Sequence, residues 1–431
     1  MSKADFNEYM VQAKALLGAE KYEEALSYLV KAEKEENMEE DLYLTRGIIL
    51  ANLGRFEEAK AEFEKVLKIK KDNGLALFHL GNIEILLGNR AQGIEHFNNA
   101  IAYGFDDAQV YYCLGLMHEE DGNYELALRN YSKAIIKDPT RADIRIRKVR
   151  TLVNNKMEKE ALFALDEMIL SNPDAFEGYH MKYLLLVDQK KYDDAQKVIE
   201  EAMNLFPNDT AFALDKASLM VAKGELDSAL SYINQIKEEM ETTPEILHGM
   251  EMEKSRIYSA KEDMVKVVEH LENARQIAVE NEVDDYEESY LLMNCYVSQK
   301  EYEKAIEVAR HLKEAEEQDY YSLAAHYYEP YALKQSGKKE GVEQMFNEAI
   351  DFYRSVSLEN PSNVDAYAFR IMCLREINNF DKALELTDYL VTVADELPET
   401  HALRAAILND LGRTQEAEEE NKKYLSIQAN L

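Results

Sequence analysis

Five basic residues stand in one short stretch of an otherwise acidic chain: Arg141, Arg145, Arg147, Lys148 and Arg150, with Asp143 the single acid among them. A guanidinium offers a planar fork of donors that meets a carboxylate through two parallel hydrogen bonds, so anion recognition is the chemistry this stretch could do. Arg147 and Arg150 are three residues apart and share one face of a helix. Two readings stay open. One is a cationic pocket for a carboxylate or an acidic peptide; the other is a set of structural ion pairs with acids of adjoining segments.

Other constellations that could carry chemistry are weak. The chain has no HExxH, no GxGxxG, no phosphate-loop GKS or GKT and no GxSxG. Its nine histidines are His79, His96, His118, His180, His248, His270, His311, His326 and His401, and no two stand three or four apart. A helical zinc pair is therefore missing. His118 with Glu119, Glu120 and Asp121 comes nearest to a metal cluster and reads as a solvated helix end. Adjacent acids such as Glu35-Glu36, Glu238-Glu239 and Asp284-Asp285 are expected by coincidence at this acid content, and catalytic carboxylates also need a pocket that separates their pKa values. Cys113, Cys295 and Cys373 are odd in number and far apart, which excludes a disulfide scaffold and suits small packed residues. Arg370, three before Cys373, is the one cation placed to activate a thiol. The expectation is a protein without catalytic residues, metal or cofactor.

Charge narrows the partners. Against 50 Lys and Arg stand 83 Asp and Glu, a formal charge of −33 over 431 residues. Such a field disfavours nucleic acid and anionic membrane surfaces. There is no apolar run near membrane-spanning length, and the start, Met1-Ser2-Lys3-Ala4-Asp5-Phe6-Asn7-Glu8, has no apolar signal core. A soluble, cytoplasmic protein is expected.

The elements that must position these side chains repeat. Tyr22-Glu23-Glu24-Ala25-Leu26 recurs as Phe56-Glu57-Glu58-Ala59-Lys60, Tyr124-Glu125-Leu126-Ala127-Leu128, Tyr192-Asp193-Asp194-Ala195-Gln196, Tyr302-Glu303-Lys304-Ala305-Ile306 and Phe380-Asp381-Lys382-Ala383-Leu384. With that alanine as position twenty, 34-residue units begin at Phe6, Glu40, Gly74, Ala108, Ala142, Phe176 and Thr210, and looser ones at His248, Tyr286, Leu323, Val364 and Pro398. Apolar residues recur at helical spacing within each unit, as Leu44, Ile48 and Leu50 and then Phe63, Val66 and Leu67. Each unit therefore reads as two antiparallel helices. Gly47, Gly81 and Gly115 at position eight allow close helix approach. Gly54, Gly88, Gly122, Gly224, Gly337 and Gly412 at position fifteen end the first helix in a left-handed cap. Pro139, Pro173 and Pro207 mark the ends of second helices. A hairpin cannot bury its apolar face alone, so neighbours must stack.

This pattern resembles the tetratricopeptide repeat family over essentially the whole chain. The fourth unit carries the motif most fully, in Tyr111, Leu114, Gly115, Gly122, Tyr124, Ala127, Tyr131, Ala134 and Pro139. The resemblance implies an all-α fold: a right-handed α-α superhelix of about twelve helix-turn-helix repeats, with a concave wall lined by the first helices. Residues 6–243 form seven regular units, and 244–431 form five longer ones ending in a cap, in one continuous solenoid. Pro330 falls inside a first helix and should kink or interrupt it; with the lengthened steps around it, a change of pitch between the seventh and eleventh units is expected.

By repeat position the basic face is concave, and so are Phe78, Asn82, Tyr112 and His180, together with Tyr290, Tyr327 and Tyr331. The expected ligand site lies on units three to five, with Arg147 and Arg150 as anion anchors, Asn82 and His79 as polar partners, and Phe78 and Tyr112 as apolar walls; His180 is a further candidate groove residue. The family's grip on a C-terminal carboxylate uses five positions, and Phe78, Asn82, Cys113, Asp143 and Arg147 stand there. Only Asn82 and Arg147 match, and Asp143 would oppose an anion. The resemblance implies a non-catalytic scaffold that binds protein or peptide, including a segment with an acidic group or free C-terminus. The alternative is a peptide-sensing regulator of the bacterial quorum-sensing repeat type that lacks a DNA-binding domain, since the first repeat at Phe6 leaves no room for a helix-turn-helix. The oligomeric state is not legible.

Overall fold

A computed structural model describes residues 3–33, 39–283, 286–314 and 319–429. Glu35, Glu36, Asp284 and Asp285, two of the acid pairs noted above, lie outside the described residues. The described residues form twenty-four α-helices. The first six hairpins are α1 (Lys3–Gly18) with α2 (Tyr22–Glu33), α3 (Glu40–Asn52) with α4 (Phe56–Ile69), α5 (Gly74–Leu86) with α6 (Arg90–Ala102), α7 (Ala108–Glu120) with α8 (Tyr124–Lys137), α9 (Ala142–Asn154) with α10 (Glu158–Ser171), and α11 (Phe176–Asp188) with α12 (Tyr192–Leu205). The next six are α13 (Thr210–Ala222) with α14 (Leu226–Glu239), α15 (Pro244–Ala260) with α16 (Met264–Asn281), α17 (Glu287–Ser298) with α18 (Tyr302–Leu312), α19 (Tyr320–Gln335) with α20 (Val342–Glu359), α21 (Val364–Glu376) with α22 (Phe380–Val393), and α23 (Pro398–Asp410) with α24 (Thr414–Gln428). The fold is all-α, a solenoid of twelve paired repeats.

Sequence register and helix register coincide. The first helices α3, α5, α7, α9, α11, α13, α21 and α23 begin on the residue at which their repeat begins. What separates first from second helix is a left-handed residue at position fifteen. Gly54, Gly88, Gly122, Gly224, Gly337 and Gly412 have φ between 72° and 90° there. The six repeats without glycine adopt the same conformation at Glu20, Lys156, Lys190, Glu262, Lys300 and Asn378, with φ between 57° and 64°. The turn is thus imposed by hairpin packing even where the residue resists it.

The inserted residues of the later repeats become extra helical turns. They lengthen α15 and α16 to 17 and 18 residues and α19 and α20 to 16 and 18, whereas α17 and α18 have 12 and 11. Pro330 does not interrupt its helix: α19 runs unbroken from Tyr320 to Gln335. The lost hydrogen bond and ring clash cost about 3 kcal/mol in a helix interior. Here Pro330 is buried, and Leu323, Ala324, Ala325, Tyr327, Ala332 and Leu333 of the same helix sit in the chain's largest apolar cluster, so tertiary packing outweighs local propensity.

The chain divides into two compact units, Met1–Leu205 and Phe206–Leu431. Within each, first helices of successive repeats also touch: α1 on α3, α3 on α5 and α9 on α11 in one unit, and α13 on α15, α17 on α19, α19 on α21 and α21 on α23 in the other. No two second helices pack as closely among the described residues. The first helices therefore form the inner wall of each unit and the second helices the outer one.

Candidate functional site

The basic stretch is distributed along α9 and its N-terminal turn, and its members have different fates. Arg147 turns to the preceding repeat, where its Nε donates to Glu119 Oε2 at 2.8 Å. Glu119 also accepts from the Thr151 hydroxyl at 2.9 Å and from the Tyr131 hydroxyl. Burial alone would raise the Glu119 carboxyl, but these three donors hold it below the ordinary carboxylate range. Arg147 is thus consumed by an ion pair that ties α9 to α7. Arg150 is exposed and makes no ion pair among the described residues.

Arg141, which repeat position alone does not single out, sits at the N-terminus of α9. It grips Asp143 through Nε and Nη2 at 2.8 and 2.7 Å. Its Nη1 donates to Gln109 Oε1 at 3.0 Å, and its guanidinium lies 5.6 Å from the centre of the Tyr112 ring. Gln109 Nε2 stands 3.7 Å from Cys113 Sγ, which stands 3.7 Å from Asn82 Oδ1. Asn82, Cys113, Gln109, Arg141 and Asp143 thereby form a polar ladder across α5, α7 and α9, with Tyr112 beneath it. Asp143 is neutralised by Arg141 instead of facing a ligand bare.

The remaining expected site residues are placed by packing. His79 stacks on Phe63 of the preceding repeat, ring centres 5.3 Å apart at 8°, and burial pushes its imidazole down to about 4. Phe78 is 7% exposed and closed in by Phe97 and Phe105. His180 stacks on Phe176 of its own helix at 5.6 Å. The structure therefore links Asn82 to Tyr112 only through Cys113, Gln109 and Arg141, leaves Arg150 exposed on α9, and turns Phe78 and His79 into inter-helix packing. In the second unit Tyr327 is buried on Tyr331 and Phe346, and the Tyr290 and Tyr320 hydroxyls meet at 3.0 Å.

Burial raises the thiols of Cys113, Cys295 and Cys373, so the neighbouring Arg370 activates nothing. Around His118, Glu119 is taken as above, and Glu120 and Asp121 both pair with Arg90. Among the described residues no three His, Cys, Asp or Glu side chains converge as metal ligands, and no helix is long and apolar enough to cross a membrane.

Family profiles described as Tetratricopeptide repeat match residues 40–73, 78–142, 119–182 and 186–250. These spans fall on the helical hairpins from α3 to the first half of α15. This chain is a tetratricopeptide repeat protein. Among its curated relatives it is similar to the human mitochondrial import receptor subunit TOM70, 23% identical over 242 residues, which cover 53% of this chain and 40% of that one. It is also similar to anaphase-promoting complex subunit 3 of Schizosaccharomyces pombe, 23% identical over 150 residues, 35% of this chain and 23% of that one. The chain spans less than half the length of either. Among solved structures it is similar to YrrB, described as a TPR protein with an unusual peptide-binding site, at 18% identity over 43% of this chain and 95% of that one, with a TM-score of 0.35. The C-terminal part of a TPR repeat-containing protein from Cytophaga hutchinsonii aligns at 16% identity over 64% of this chain and 96% of that one, with a TM-score of 0.44. The tetratricopeptide repeats place the first helices side by side, and Asn82, Tyr112 and Arg150 stand on three of them, α5, α7 and α9.

Proposed function

We propose that this tetratricopeptide repeat protein is a non-catalytic scaffold that binds an extended protein segment along the inner wall of its N-terminal unit. The observation that carries the proposal is the state of the wall on α9 and α11. Arg150 is exposed without an ion pair, while Val153 and Leu184, at wall positions of the same and the next repeat, are 37% and 49% exposed. A rigid wall with an open guanidinium beside open aliphatic groups suits a segment with an acidic side chain or free C-terminus next to an apolar residue. The polar ladder from Asn82 to Arg141 adds donors and acceptors for the backbone of such a segment, and Tyr112 and His180 offer ring surface. In this reading Arg150 is the anion anchor, and Arg147 supports the wall through Glu119.

An array of short peptides, each displayed with a free and an amidated C-terminus, tests this. The wild-type protein should select peptides with an acidic or free-carboxylate group, and Arg150→Ala should weaken the selected peptides by about ten-fold, as expected for loss of one charged hydrogen-bonding group. Equal binding by wild type and Arg150→Ala would overturn the proposal.

A further inference from the structure

The outer side of the fifth repeat holds two cations without a counter-ion. Position seven of the first helix carries a cation in many repeats, and the structure shows how it is normally satisfied. Arg46 pairs with Glu33 at 2.8 Å, Lys182 with Asp166 at 2.7 Å and Arg404 with Asp388 at 2.7 Å, the carboxylate in each case lying on the second helix of the preceding repeat. Lys254 uses Glu251 at 2.8 Å, and Lys216 lies 5.0 Å from the centre of the Tyr232 ring. In the fifth repeat the cation is Lys148. Asp166 and Asp388 occupy position twenty-five of their repeats, and the residue at that position before Lys148 is Ser132. Its hydroxyl is spent on the Leu128 carbonyl.

Arg145, one turn earlier on α9, adds a second positive charge. Its guanidinium donates to the Pro139 carbonyl at 3.0 Å, and neither it nor Lys148 has a carboxylate within ion-pair distance among the described residues. The desolvation of Lys148 lowers its pKa; Glu167 opposes this from beyond ion-pair reach, and Arg145 adds to it by repulsion. Both side chains line a groove of about 500 Å³ between α8 and α10, floored by α9 and shared with Ser132 and Glu167. Ile136 and Leu170 also line it, at 75% and 84% exposure, and Leu170 is the most exposed large apolar side chain among the described residues. Arg370, which like Lys216 makes no ion pair among the described residues, is closed over at 9% exposure.

We propose that this outer groove binds an acidic, apolar peptide segment: a Glu or Asp carboxylate enters the place left by Ser132 and pairs with Lys148 and Arg145, while flanking aliphatic side chains cover Ile136 and Leu170. The site is separate from the inner wall and does not depend on it. Charge complementarity selects the occupant. A half-buried cation without a partner is unfavourable in the free protein, and a carboxylate relieves it, whereas a neutral or basic segment cannot.

Isothermal titration calorimetry with the acetylated, amidated hexapeptide of alternating glutamate and leucine tests the groove on the full chain. The blocked C-terminus removes any free-carboxylate contribution. Wild type should bind it, and the same peptide with glutamine for glutamate should bind about ten-fold more weakly or worse. Ser132→Asp supplies the missing counter-ion from within. It should raise the thermal midpoint and weaken the acidic peptide by a similar factor, although both cations remain. Lys148→Met should weaken binding without lowering the thermal midpoint. Arg150→Glu, on the inner wall, should leave the affinity within about two-fold, so failure here and failure of the inner-wall reading are separable. No binding by wild type, unchanged binding by Ser132→Asp, or loss on Arg150→Glu would overturn the proposal. A concentration-dependent dimer that Leu170→Glu abolishes would also overturn it, by assigning the groove to a second copy of the chain.

Discussion

Gly115 of α7 lies flat against the ring of Tyr131 on α8, so closely that a Cβ on Gly115 would stand 2.4 Å from ring Cε1. The same approach recurs between Gly47 and Phe63 at 2.6 Å and between Gly81 and Phe97 at 2.7 Å. Position eight is therefore the surface on which the large ring of the second helix rests, and its side chain is absent for that reason.

Gly115→Ala should destabilise the protein. Tyr131 is fully buried and cannot swing away, so overpacking of about 1–3 kcal/mol should exceed the gain of up to about 1 kcal/mol from better helix propensity. Gly18→Ala is the matched contrast, because Gly18 lies at the end of a helix with nothing within 4 Å of a new Cβ. It should be neutral or stabilising. Urea denaturation of both variants checks the pair; equal effects would refute the packing account.

Lys156, Lys190 and Lys300 hold left-handed backbone at the hairpin turn, with φ of 57°, 58° and 64°. A side chain costs about 1–2 kcal/mol in that conformation, partly offset by the extra freedom glycine gives the unfolded chain. Each substitution to glycine should therefore raise stability by up to about 1 kcal/mol. Thermal midpoints of the single and triple variants measure this, and a lowered midpoint would show that the lysine side chains contribute more than the backbone strain.

Glu119→Ala should cost about 2–3 kcal/mol, because it strips charged hydrogen bonds from Arg147, Thr151 and Tyr131 and leaves the buried tyrosine hydroxyl without its acceptor. Arg147→Ala should cost less, about 1 kcal/mol, since its side chain is 42% exposed and solvent screens the pair. A double-mutant cycle on denaturation free energies should return a coupling near the Arg147 value.

His79 supplies a pH dependence. Its folded pKa is depressed from 6.5 to about 4 by burial against Phe63. Between those values the unfolded chain binds the extra proton, so the stability this neutral imidazole contributes is present above pH 6.5 and is lost as pH falls toward 4. The loss should reach about 3 kcal/mol, at 1.36 kcal/mol per pKa unit. His326, also depressed to about 4 and mainly by burial, acts in the same direction. Denaturation at pH 7, 5.5 and 4.5 should show His79→Phe losing less stability on acidification than wild type; parallel losses would refute the assignment.

The repeat pattern by itself determined the architecture. Position fifteen, position eight and the alanine at position twenty are local requirements of one hairpin, written into enough copies that the register, and the start of eight of the twelve first helices, follow from spacing alone. It also drew attention to the basic stretch, because charge composition is visible without coordinates. The partners of each cation were settled by stacking. Arg147 meets Glu119, Arg141 meets Gln109, and Lys148 has no acid within ion-pair distance among the described residues, because each depends on which residue the preceding repeat presents about thirty residues earlier in the chain. His79 and Phe78 occupy wall-like positions by count, yet both rings are taken up by the aromatic groups of neighbouring helices. Pro330 continues its helix because apolar burial around α19 outweighs a local penalty. Propensity and periodicity act within one hairpin, whereas counter-ions, exposure and grooves arise only where one repeat lies on the next.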